Sequence, residues 1–60
     1  MMQEFYKRIR KAKTFDELKE VYNDFARAFV NDEISIEQYN SLRMAFHNAK
    51  ILRITEWNNN

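Results

Sequence analysis

The sequence predicts an all-α protein: a small three-helix unit whose second and third helices form an antiparallel hairpin. Two helix-start signatures carry most of that expectation. Thr14-Phe15-Asp16-Glu17 and Ser35-Ile36-Glu37-Gln38 each read as a capping box. In such a box a hydroxyl accepts from the backbone N–H three residues on, and the Glu or Gln there reaches back to the cap's own N–H. The third observation is that the chain has no Gly and no Pro to interrupt a helix.

The first helix is expected from Met2 to about Ala12. Met2, Phe5, Tyr6, Ile9 and Ala12 recur at helical spacing and share one face. Lys13 then leads into the Thr14 cap.

The second helix should run from Phe15 to about Val30. Phe15, Leu18, Tyr22, Phe25 and Phe29 alternate three and four apart, as in a coiled-coil seam, and Val21, Ala26 and Ala28 widen the stripe. Asp16, Glu17 and Glu20 lie in or near the first turn, where negative charge complements the helix dipole.

Asn31-Asp32-Glu33-Ile34 is the turn, with Asn31 expected as the left-handed residue that closes the helix. Ile34, just before the Ser35 cap, is placed to pack on Tyr39 as a hydrophobic staple. So short a connection makes the flanking helices antiparallel neighbours.

The third helix starts at Ile36 and is expected to end between Ala49 and Thr55. Tyr39, Leu42, Ala45, Phe46, Ala49 and Leu52 share its main face. Met44 and Ile51 fall on the far side, with Ile36 and Ile54 between the two. A helix that is apolar on two sides contacts two surfaces or leaves one exposed. Residues 1–57 thus form a single helical domain and residues 58–60, all Asn, a disordered polar tail. The expected core is Phe5, Ile9, Leu18, Tyr22, Phe25, Phe29, Tyr39, Leu42, Phe46 and Ala49. Such a core is thin, which makes a homodimer unsurprising.

Composition narrows the function classes. Sixty residues allow one small core. With no Cys there is no disulfide, thiolate metal site or thiol nucleophile, and one His cannot build an all-His site. Without Gly there is no Gly-rich phosphate loop, and no carboxylate, Ser or Lys constellation reads as catalytic. The reading is non-enzymatic, with no cofactor, metal or catalytic residue. No run approaches a membrane span or a leader's apolar core, so a soluble cytoplasmic protein is expected, with no membrane partner. Phe, Tyr, Met, Ile, Asn and Lys outnumber Gly, Ala, Arg and Pro by 28 to 10, which suits the A+T-rich codons of low-G+C bacteria and their phages and plasmids.

Charge is segregated along the chain. Residues 1–14 hold five basic groups and one acid, residues 15–37 seven acids and two bases, and residues 38–60 three bases and one acid. The plainest consequence is attraction between a basic first helix and an acidic second one, each exposed pair worth at most ~1 kcal/mol.

Two functional readings follow. The leading one is a protein–protein interaction module, a phage- or plasmid-type regulator or inhibitor that binds a host or self partner. Its interface candidates are Met44, Ile51, Ile54 and Trp57, residue types suited to an adaptable contact. The alternative is a small DNA-binding regulator that uses the basic first helix, through Lys7, Arg8, Arg10 and Lys11, or the start of the third, through Arg43. Against it, a net charge of +1 is modest for a nucleic-acid binder. The stretch from Phe25 to Phe46, with Asn31-Asp32-Glu33-Ile34-Ser35 followed by Glu37, Gln38, Tyr39 and Leu42, resembles the helical hairpins of SHOCT-type modules. That resemblance implies an interaction or oligomerisation role; it covers about a third of the chain and lacks the turn Gly common in the pattern.

Overall fold

Both capping boxes form as the sequence requires, and they set the two helix starts. The computed structural model describes the backbone of residues 2–58 and the side chains of residues 2–56. Three helices result, α1 (Met2–Lys11), α2 (Phe15–Val30) and α3 (Ile36–Asn58), with no strand among the described residues. At the first box the Glu17 N–H donates to Thr14 Oγ1 at 3.1 Å, and Glu17 Oε1 accepts from the Thr14 N–H at 3.2 Å and the Lys13 N–H at 2.6 Å. At the second, the Gln38 N–H donates to Ser35 Oγ at 3.1 Å and the Ser35 N–H to Gln38 Oε1 at 2.8 Å.

The turn between α2 and α3 corrects the expectation at Asn31. Asn31 has φ −87°, and Asp32 takes the left-handed conformation at φ 61°. The Asp32 N–H donates to the Phe29 carbonyl at 3.0 Å and the Glu33 N–H to the Ala28 carbonyl at 2.8 Å. Those two bonds make a Schellman closure, in which the residue after the cap is the left-handed one. Asp tolerates that conformation better than most residues, so no Gly is needed.

Each helix contacts the other two. Phe5, Ile9 and Ala12 meet Leu18, Val21, Phe25 and Ala28 of α2, with Ile34 and Leu42 completing the buried core. Leu18, Phe25 and Leu42 are fully buried. Each such side chain contributes ~1.5–3 kcal/mol relative to exposure. Phe25 is the hub of the aromatic packing: its ring lies 6.1 Å from Phe5, 5.0 Å from Tyr22 and 5.9 Å from Tyr39, centroid to centroid. Tyr22, Phe29, Tyr39, Phe46 and Ala49, expected in the core, are only partly buried around it. The smaller Ala12, Val21 and Ala28 are buried instead, because close helix approach favours them at the centre and leaves the large rings to cover the edge.

α3 has 23 residues against 16 for α2 and 10 for α1. At 1.5 Å per residue it is about 35 Å long, and the molecule's longest dimension is 38 Å. Its C-terminal part therefore outruns its neighbours. Leu52, expected on the main face, is 78% exposed for that reason. The helix also passes the expected limit at Thr55 and includes Asn58; Asn59 and Asn60 lie outside the described residues.

Candidate functional site

The outer side of α3 is where sequence and packing disagree most. A helix whose apolar residues are distributed all round its circumference has one stripe too many for a three-helix bundle. Here Leu42 is buried and Tyr39, Ala45, Phe46 and Ala49 are packed against the core. On the other side Met44 is 68% exposed, Ile51 55% and Ile54 41%. Ile36 is also exposed. Met44, Ile51 and Ile54 are spaced seven and three apart, which keeps them along one line of the helix. The side chain of Trp57, the fourth interface candidate, lies outside the described residues.

Between α2 and α3 runs an open groove. Tyr22 and Phe46 line it with ring centroids 4.9 Å apart, and Met44 joins them from α3. The polar lining comes from Lys19, Arg43, His47 and the amides of Asn23, Asn40 and Asn48. The Arg43 guanidinium lies 5.9 Å from the centroid of Tyr39. Lower on the same side, Lys19 and Lys50 place their ammonium groups 5.6 and 5.7 Å from the Phe15 centroid. Such contacts hold a cation over an aromatic face without neutralising it.

The Tyr22 and Tyr39 hydroxyls are 3.2 Å apart and tie α2 to α3. Phe29 stacks on the Tyr39 ring at 4.5 Å. The hydrogen bond to Tyr22 is the main cause that raises the Tyr39 pKa above the ordinary phenol value, with burial and the Tyr22 charge adding to it and Arg43 opposing.

The basic residues of α1 face acids of α2. Arg8 pairs with Asp24 at 2.8 Å. Lys7, Arg8 and Lys11 share a second groove with Glu17 and Glu20. Arg10 is exposed, and its carbonyl accepts from Arg53. Arg43 lines the α2–α3 groove, to which α1 contributes no lining residue. Of the five nucleic-acid candidates, Arg43 alone lines that groove.

Arg53 is the residue that sequence reasoning passed over. Its guanidinium donates to the carbonyls of Ile9, Ala12 and Arg10 at the end of α1. Only the folded arrangement brings it there.

No group of three or more His, Cys, Asp or Glu among the described residues is placed to hold a metal ion. No helix among them is long and apolar enough to cross a membrane. Comparison with protein families, curated proteins and solved structures finds no match for the chain. The likeness of residues 25–46 to SHOCT-type hairpins thus rests on capping chemistry and carries no family membership.

Proposed function

We propose that the protein is a non-enzymatic helical interaction module that works in the cytoplasm by binding a host or self partner through the outer side of α3. It would act as a small regulator or inhibitor of the phage or plasmid type, an origin suggested by an amino-acid composition that suits A+T-rich codons. One observation carries the reading: Met44, Ile51 and Ile54 are exposed along one side of a helix whose other side is core. Apolar residues aligned on a free helix face favour a partner, because burying them is worth about 25 cal/mol per Å². Met, unbranched and flexible, adapts well to such contacts. A homodimer is one form of this function, since a second copy would add the buried area that a small core lacks.

Replacing Met44, Ile51 or Trp57 with polar residues should abolish association while leaving helicity largely intact. Sedimentation of the free protein and capture from an extract of the native host measure the first, and circular dichroism the second. Variants that unfold would make these residues core and end the proposal.

A second reading, a DNA-binding regulator, keeps the support of the exposed Lys7, Arg8, Arg10, Lys11 and Arg43. The acids alongside weigh against it: Asp24, Glu17 and Glu20 beside α1, and Glu37 in the first turn of α3. It requires retention on duplex DNA that falls steeply with salt and weakens when the α1 cations are neutralised.

A further inference from the structure

The groove between α2 and α3 has a volume of about 910 Å³ and is lined by cations, with no carboxylate among the described residues that line it. Lys19 enters from α2 and Arg43 and His47 from α3. Lys50 continues the basic line beyond His47, next to Lys19 across the Phe15 ring. Between Glu37 and Glu56 the sequence of α3 contains no acid at all. The groove that α1 and α2 share is the opposite case, with Lys7, Arg8 and Lys11 answered by Glu17 and Glu20. Among the described lining residues, the cations of the α1–α2 groove have acids beside them, and those of the α2–α3 groove do not.

The α2–α3 groove also has an apolar component. Tyr22 and Phe46 are half-buried along it, and Met44 is mostly exposed at its edge. Ile51 lies two turns further along the same side of α3 as Met44. An occupant must therefore bring apolar side chains and negative charge together over about two helical turns.

We infer that this groove binds an acidic amphipathic helix of a partner protein, whose apolar side chains meet Met44 and Ile51 and whose carboxylates meet Lys19, Arg43 and Lys50. This deepens the interaction reading of the α3 face and rests on it. Apolar anchors in a groove supply affinity in helix recognition, and charges at the edge select the partner and speed encounter. A nucleic acid fits less well. Single strands bind on open aromatic faces, whereas the Tyr22 and Phe46 rings lie against each other. A second copy of the chain is also a weaker occupant, because antiparallel pairing of two α3 helices would set this basic line against itself.

The test is a titration of ¹⁵N-labelled protein followed by NMR with three probes. They are an amphipathic Leu/Glu helix peptide with leucines at i, i+3, i+4 and i+7, the same peptide with Lys for Glu, and a short oligothymidylate. The expected result is binding of the acidic peptide, with shifts centred on Lys19, Asn23, Arg43, Met44 and His47. Its affinity should fall about tenfold in a Lys19→Glu/Arg43→Glu variant, the scale of two exposed ion pairs. A Lys7→Glu/Lys11→Glu variant should bind as the wild type does, which separates the groove from general charge attraction. Equal or tighter binding of the Lys peptide overturns the inference and leaves an interaction module standing. Tighter binding of the oligothymidylate overturns both. Failure of all three probes, or sedimentation showing the groove covered by self-association, overturns the acidic-helix assignment.

Discussion

Arg53 of α3 donates from Nη1 to the carbonyl of Ala12 at 2.7 Å, across forty-one positions of sequence. The same nitrogen reaches the Ile9 carbonyl at 2.9 Å and the other reaches Arg10. The last carbonyls of a helix have no partner within it and carry the negative end of its dipole. A side chain from another helix supplies both the donors and the positive charge. It fastens the end of α1 to the overhanging part of α3.

Replacing Arg53 with Met should therefore destabilise the protein by about 1–3 kcal/mol, the scale of charge-assisted hydrogen bonds. The loss should be concentrated in α1. Hydrogen exchange of the α1 amides is the measurement, and faster exchange there than in α2 is the expected result. Arg53→Lys should not restore protection, because an ammonium lacks the planar fork that serves several carbonyls at once.

Phe25 has the most to lose in the core. It is fully buried and in ring contact with residues of all three helices. Truncation to Ala at such a site costs ~3–5 kcal/mol. A domain of this size holds only ~3–9 kcal/mol in total. Phe25→Ala should leave the chain largely unfolded at 37 °C, read as lost ellipticity at 222 nm, while Leu at the same place should keep the fold.

The tyrosine pair predicts a pH dependence on the alkaline side. The Tyr39 pKa is raised by its bond to Tyr22 first and by burial second. A raised phenol pKa means that the folded state favours the neutral form. Its contribution is fully present below the ordinary phenol pKa of about 10 and is lost as pH rises through the raised value. Thermal stability should thus be flat from neutral pH to about 10 on this account and fall above it. In Tyr22→Phe the phenolate absorbance of Tyr39 should appear at lower pH than in the wild type, since the first cause of the shift is gone.

Asp32 holds a left-handed conformation that Gly adopts without cost. Asp32→Gly should raise stability by up to about 1 kcal/mol, seen as a higher midpoint in urea with unchanged slope. The same change at Asn31, which has a negative φ, should bring no such gain.

What the residues disclosed in advance is physically consistent. Thr14, Glu17, Ser35 and Gln38 act on neighbours three positions away, so their hydrogen bonds are legible in the sequence, and the helix starts with them. Periodicity placed Phe5, Ile9, Leu18, Phe25 and Leu42 correctly for the same reason. It does not say how closely helices approach, and so it overrated Tyr22, Phe29 and Phe46 against Val21 and Ala28. Asn31 and Asp32 are both tolerated left-handed residues, and one position of offset in the helix end decides between them. Leu52 obeys the stripe of α3 but lies where the other helices no longer cover it. Arg53 has no local signal at all, because its partners are carbonyls distant in sequence. The outer line of Met44, Ile51 and Ile54 was legible as a surplus of apolar residues. Its exposure needed the structure.

The most direct test of the interaction reading compares the wild type with a Met44→Asp/Ile51→Asp variant in a single binding experiment run at matched helicity. Both residues are exposed, and substitutions on a free surface usually change stability by no more than ~0.5 kcal/mol. The predicted result is a variant with wild-type ellipticity and melting that no longer captures the wild type's partner from host extract. A variant that stays folded and associates as the wild type does would contradict the claim that α3 is the interface.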